Sequence, residues 1–344
     1  MQLPTAFRDF LQEIRPTSAQ RDDYQRGHTT LRERLLADTA LKSIIVAVFI
    51  QGSYRRSTAI RPSEGQRSDV DLVVVTNLDS EQITPAAALR RFAPFLRTHY
   101  NGKWSTNERS LSIELSYVDL DLVVTSAPAH VDDYRGERGE DSLEDAAPPT
   151  HAEATAWKRE PLLIPDRQWE RWDPTNPLVQ LADTRQKNAA CNGHFVNVVK
   201  AIKWWKRQQD LPKHPRSYPL ERLIFACCPD RVGSVAEGLT CTFEAIAALS
   251  TSHVPVLDNP GVRGQNVMAR VPLEQFQALV EHSRGAARLA RRALSSLDDS
   301  ESATLWRELL GPKFPASGGS GPSGPRGGFS PRDDVSSPQG GRFA

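Results

Sequence analysis

The chain has 344 residues, 39% hydrophobic and 25% charged, ordinary for a soluble globular protein and long enough for two packed lobes. Its formal net charge is +1, so no overall basic field drives it onto long nucleic acid. No run of about 18 apolar residues is present, which argues against a membrane-spanning helix. The N-terminal stretch also lacks the apolar region of a signal peptide.

Residues 4–38 read as helical with a break near Arg15-Pro16, after which Thr17 or Ser18 can cap a second helix. Residues 44–50, IIVAVFI, form a continuous β-branched and aromatic run that predicts a strand buried on both faces. A second such strand is expected from Val70 to Thr76, a helix over 85–98, and one or two alternating strands over 111–125. The acidic, apolar-poor segment 132–153 reads as a long mobile loop. Beyond Asn176 the pattern is helical over 177–210, 218–228, 235–250 and 272–297. From Pro315 to Ala344 the chain is rich in Gly, Ser and Pro, which predicts disorder. Cys191, Cys227, Cys228 and Cys241 lack metal-binding spacing and read as reduced thiols of a cytoplasmic protein.

Three short features carry chemistry. Gly52-Ser53 follows the first buried strand directly; a glycine there lets the backbone approach a phosphate, and a short helix starting at that point would aim N–H groups at the anion. About sixteen residues on, Asp69 and Asp71 stand at i and i+2 of a strand and so share a face. Two adjacent carboxylates on an apolar strand repel, and a divalent cation removes that penalty; oxygen ligands suit Mg²⁺. Asp119 and Asp121 repeat the pattern, and a carboxylate from this second strand would complete a two-metal site for nucleotidyl transfer. Alternation does not separate the two; Asp121 is preferred because it runs straight into LVV, as Asp71 runs into LVVV.

These residues resemble the polymerase-β-like nucleotidyltransferases and, more closely, the CD-NTase family of bacterial cyclic-oligonucleotide synthases. The matching segments are QGSYRRSTAI at 51–60, SDVDLVVV at 68–75 and VDLDLVV at 118–124. Further matches lie at 162–177, VVKAIKWWKRQ at 198–208, SYPLERL at 217–223 and WRELLGPKFP at 306–315. One departure is VVTSAP after Asp121, where many relatives place a proline directly after the apolar pair.

The resemblance implies an α+β, bilobal fold. A nucleotidyltransferase core with a spine helix would occupy 1–165, a C-terminal helical domain 166–315 and a disordered tail 316–344. It implies that Gly52 and Ser53 hold the donor triphosphate, and that Asp69, Asp71 and Asp121 are catalytic and bind two Mg²⁺ ions, with Mn²⁺ as a substitute. Lys203, with Lys200 as second candidate, and Ser217 would contact phosphate, while Tyr218 would stack on the donor base. The implied substrates are NTPs (ATP and GTP, UTP or CTP). The implied product is a cyclic di- or trinucleotide for CBASS antiviral signalling. CBASS accessory proteins would be partners, among them a ubiquitin-like transferase acting on the C-terminus. Two other readings remain open: a nucleotidyltransferase acting on an RNA or tRNA end or making linear oligonucleotides, and a catalytically silent nucleotide-binding module.

Overall fold

A computed structural model describes residues 1–127 and 160–316. The predicted loop over 132–153 and the tail over 316–344 lie outside these described residues, apart from the tail's first position.

Two helices open the chain, α1 (Pro4–Ile14) and α2 (Ser18–Ala37). Thr17 caps α2 in a reciprocal box, its hydroxyl accepting from the Gln20 N–H while Gln20 accepts from the Thr17 N–H. Then come β1 (Ile45–Gln51), the single turn α3 (Gly52–Arg55) and β2 (Asp69–Thr76). The stretch expected as one helix over 85–98 divides into α4 (Pro85–Arg90) and α5 (Ala93–Tyr100), the second started by Pro94. Strands β3 (Trp104–Thr106), β4 (Leu111–Glu114), β5 (Asp119–Ser126), β6 (Leu162–Asp166) and β7 (Arg171–Thr175) follow. The remaining elements are α6 (Pro177–Ala190), α7 (Phe195–Gln208), α8 (Ser217–Cys227), α9 (Val235–Ala247), the small hairpin β8 (Asp258–Asn259) and β9 (Val262–Asn266), α10 (Leu273–Ser295) and α11 (Asp299–Leu310). The helical stretch expected over 177–210 is broken at Asn192 and Gly193, which both take positive φ (54° and 80°).

The main sheet runs β1-β2-β5-β4-β3, with β6 attached to β5 and β7 to β6. Among the described strands of this sheet only β2 and β5 are parallel; the other pairs are antiparallel. One face buries Ile50, Val70, Leu72, Val74, Leu120, Leu122 and Val124 against α2, α4 and α5. The opposite face carries a small apolar patch, Phe49, Val73, Val75 and Val123, backed by Leu162 and Leu178. The helices from α7 onward, with α1, build a separate and larger core.

Two segments cross the expected boundary at 165/166. The β6–β7 hairpin belongs to the sheet although β7 lies beyond it. Helix α1, first in the chain, buries Phe7, Phe10, Leu11 and Ile14 in the helical lobe, with Phe7 edge-on to Trp306 and Phe314. Among the described residues no helix is long and apolar enough to cross a membrane.

Candidate active site

Strand register assembles the acidic face. Asp69 pairs with Asp119 and Asp71 with Asp121 across the parallel β2–β5 contact. The Asp71 row continues to Gln51 of β1 on one side and Ser112 of β4 on the other. All four aspartates share the face of Val73 and Val123, away from α2.

Oxygens of Asp69, Asp71 and Asp121 lie within 4.8 Å of one another. Asp119 turns aside: its carboxylate accepts from Arg67 Nε at 2.6 Å. Desolvation and then the neighbouring Asp71 push the Asp69 carboxyl well above its usual range, although Asp69 keeps contact with solvent. Asp71 is raised as well, by desolvation and then by Asp121, with Arg56 and Lys203 pulling the other way. Burial also raises Asp121, but hydrogen bonds from Ser112, Ser110 and Asn107 oppose that rise. An oxygen-only donor set whose members repel one another fits a divalent cation, so the cluster could hold a metal.

The Gly52 turn is wedged against this cluster because Gln51, the last residue of β1, is the register partner of Asp71. Gly52 has φ +80°, and a Cβ built on it would lie 1.8 Å from Asp71 Oδ2. Only glycine fits both restrictions. The turn is closed by Thr58, whose N–H donates to the Ser53 carbonyl at 2.8 Å.

Behind the turn sits a buried charge network that sequence reasoning did not find. Glu221 of α8 accepts from Arg56 Nε at 3.0 Å and from Lys203 Nζ at 3.1 Å. Lys203 also donates to the Thr58 carbonyl at 3.1 Å. The two cations outweigh the desolvation of Glu221 and hold its carboxyl down at about 2. This pairing ties α7 and α8 of the helical lobe to the turn and leaves a surplus positive charge beside Asp71. The available signal was Glu221 itself, a charge one turn after Tyr218 on the buried side of α8.

The other expected residues divide. Tyr218 is brought beside the turn; its ring lies under the Arg56 guanidinium, 5.0 Å from the centroid, and its hydroxyl donates to Asn259 Oδ1 at 2.9 Å. Ser217 is exposed at the start of α8. Lys200 sits one turn before Lys203 and is buried; desolvation, then Arg15 and Lys203, lower its ammonium to about 7. Trp205 packs edge-on to Phe243, as expected of a core residue.

Known proteins resemble this chain over its whole length. The domain family described as "Second Messenger Oligonucleotide or Dinucleotide Synthetase" matches residues 1–158. The cyclic AMP-AMP-GMP synthase of Enterobacter hormaechei subsp. hoffmannii is 42% identical, covering 100% of both chains. The cyclic AMP-AMP-AMP synthase of an Acinetobacter species is 31% identical over 90% of this chain and 85% of that one. Among solved structures, E. coli MS115-1 CdnC determined with ATP superposes with a TM-score of 0.65 at 16% identity, covering 92% of this chain and 100% of that one. The same protein in its HORMA-deltaN complex gives a TM-score of 0.66 at 16% identity over 92% and 99%.

Proposed function

The chain belongs to the CD-NTase family and is a cyclic oligonucleotide synthase, and from that premise we propose that it joins two adenylates and one guanylate into a cyclic trinucleotide with loss of pyrophosphate. The observation that carries the reading is the meeting of Asp69, Asp71 and Asp121 beside a glycine turn. The choice of bases rests on the nearer likeness to a cyclic AMP-AMP-GMP synthase than to a cyclic AMP-AMP-AMP synthase.

In this reading Asp69, Asp71 and Asp121 hold two Mg²⁺ ions. When bound, the ions supply polarisation of the attacking hydroxyl and compensation of the leaving pyrophosphate's charge. Gly52 lets the donor triphosphate lie close to the backbone, and Ser53 offers it a hydroxyl. Lys203, already facing the turn, and Ser217 contact phosphate; the burial of Lys200 makes it the weaker of the two lysine candidates. Tyr218 offers its ring to the donor base, oriented by Asn259 and Arg56. The cyclic product would act in CBASS antiviral signalling in the cytoplasm, with accessory proteins as partners.

The test is mass spectrometry of products from all four NTPs with Mg²⁺ or Mn²⁺. A phosphatase-resistant species with two adenylates and one guanylate, formed from ATP and GTP alone, is expected. A linear product, or transfer only onto an added RNA end, overturns the reading.

A further inference from the structure

The loop joining β3 to β4 is built as a support for Asp121. Asn107 reaches Asp121 Oδ1 with its amide Nδ2 at 3.4 Å. Ser110 and Ser112 stand beside the same carboxylate and oppose the rise that burial imposes on it. Asn107 and Ser110 are joined to each other, backbone N–H to carbonyl, at 2.9 Å. Among the described residues, no comparable set of neutral donors holds Asp69 or Asp71.

The loop is in turn pinned from the β6–β7 hairpin. Arg167 donates from Nη1 to the carbonyls of Thr106 (3.3 Å) and Asn107 (3.1 Å), and its N–H donates to the Glu108 carbonyl at 3.0 Å. Arg109 donates to the buried carboxylate of Asp166 at 2.7 and 3.0 Å. Arg270, from the helical lobe, reaches the same Asp166 oxygen. A surface asparagine that merely decorated a loop would need no such scaffold, whereas a donor aimed at a carboxylate works only if it is held still.

We propose that Asn107 is a positioning residue: it fixes one oxygen of Asp121 and so presents the other toward Asp69 and Asp71. The proposal rests on the reading of this cluster as the metal site. An exposed amide contributes little to folding. Its removal acts instead through the freedom it returns to the Asp121 side chain, and so on metal affinity and turnover rather than on nucleotide binding.

The experiment is Mn²⁺ titration by electron paramagnetic resonance on the full chain with a non-hydrolysable ATP analogue. Wild type is compared with Asn107→Ala, Asn107→Leu and Asp121→Ala, with kcat, KM for ATP and melting temperature measured in parallel. Both Asn107 variants should bind Mn²⁺ about tenfold more weakly and lose about tenfold in kcat. Their KM for ATP and melting temperature should stay at the wild-type values. Wild-type Mn²⁺ affinity and kcat in both variants overturn the proposal, and so does a loss of affinity that only accompanies a fall in melting temperature. If wild type binds Mn²⁺ no better than Asp121→Ala and releases no pyrophosphate, the metal-site reading itself fails and takes this inference with it.

Discussion

Strands β2 and β5 carry the same Asp-x-Asp pattern in register, side by side on one face, yet the two pairs end differently. Both β2 aspartates join the cluster, while β5 contributes only Asp121 and Asp119 is captured by Arg67. The difference lies in the neighbours across the sheet. The Asp71–Asp121 row is flanked by Gln51, which leads into the glycine turn, and by Ser112, which opposes the rise that burial imposes on Asp121. The Asp69–Asp119 row meets Glu114 on β4 instead. A guanidinium satisfies Asp119 and Glu114 together and draws Asp119 outward. Identical sequence patterns on adjacent strands therefore diverge through what lies one strand further out.

The widest gap should open between Asp121→Asn and Asp119→Asn. We expect the first, like Asp71→Asn, to lower the rate of pyrophosphate release by on the order of a thousandfold. Asp119→Asn should stay within about threefold of wild type, since it loses only an exposed ion pair. Equal losses would erase the distinction. Next comes Gly52→Ala, which forces a side chain into the Asp71 carboxylate at positive φ. It should cost roughly 1–3 kcal/mol of stability, read by denaturant unfolding, and raise KM for NTP.

The smallest effect is electrostatic. Because Asp69 and Asp71 are raised in the folded chain, that state binds protons more readily than the unfolded one above the ordinary carboxylate range. Stability from this pair therefore falls as pH rises through their raised values. Asp69→Asn with Asp71→Asn should melt higher than wild type at pH 8 in chelator, and the gap should close toward pH 4, the ordinary aspartate value. Asp166 and Glu221 pull the other way. Each sits at about 2 in the fold, so the stability it contributes is present above the unfolded carboxylate pKa and disappears as pH falls toward 2.

The sheet's inner strands and most long helices were readable in the sequence because apolar runs and 3.6-residue spacing report burial directly. The β6–β7 hairpin was not: Pro165 and Pro174 interrupt it, and β6 touches β5 through a single register pair, Ser126 with Leu163. Helix α11 was missed too, since the acidic Asp298–Glu301 opening reads as loop until Asp298 is seen capping Ser300. At the site, alternation placed Asp119 and Asp121 on one face but could not choose between them, because Arg67 and Ser112 act across space. Glu221 and Asn107 escaped for the same reason. Each works through a partner on another element, and neither belongs to a local pattern.

The seating of α1 among α7, α9 and α11 has a consequence for synthesis. The first helix off the ribosome must wait for partners encoded up to Phe314, so the helical lobe closes late. The acidic strands and the glycine turn, Arg56 included, precede it in translation, but Lys203, the second cation beside Asp71, arrives with that later lobe. A nascent chain therefore carries the carboxylates and Arg56 before Lys203 and its partner Glu221 are in place.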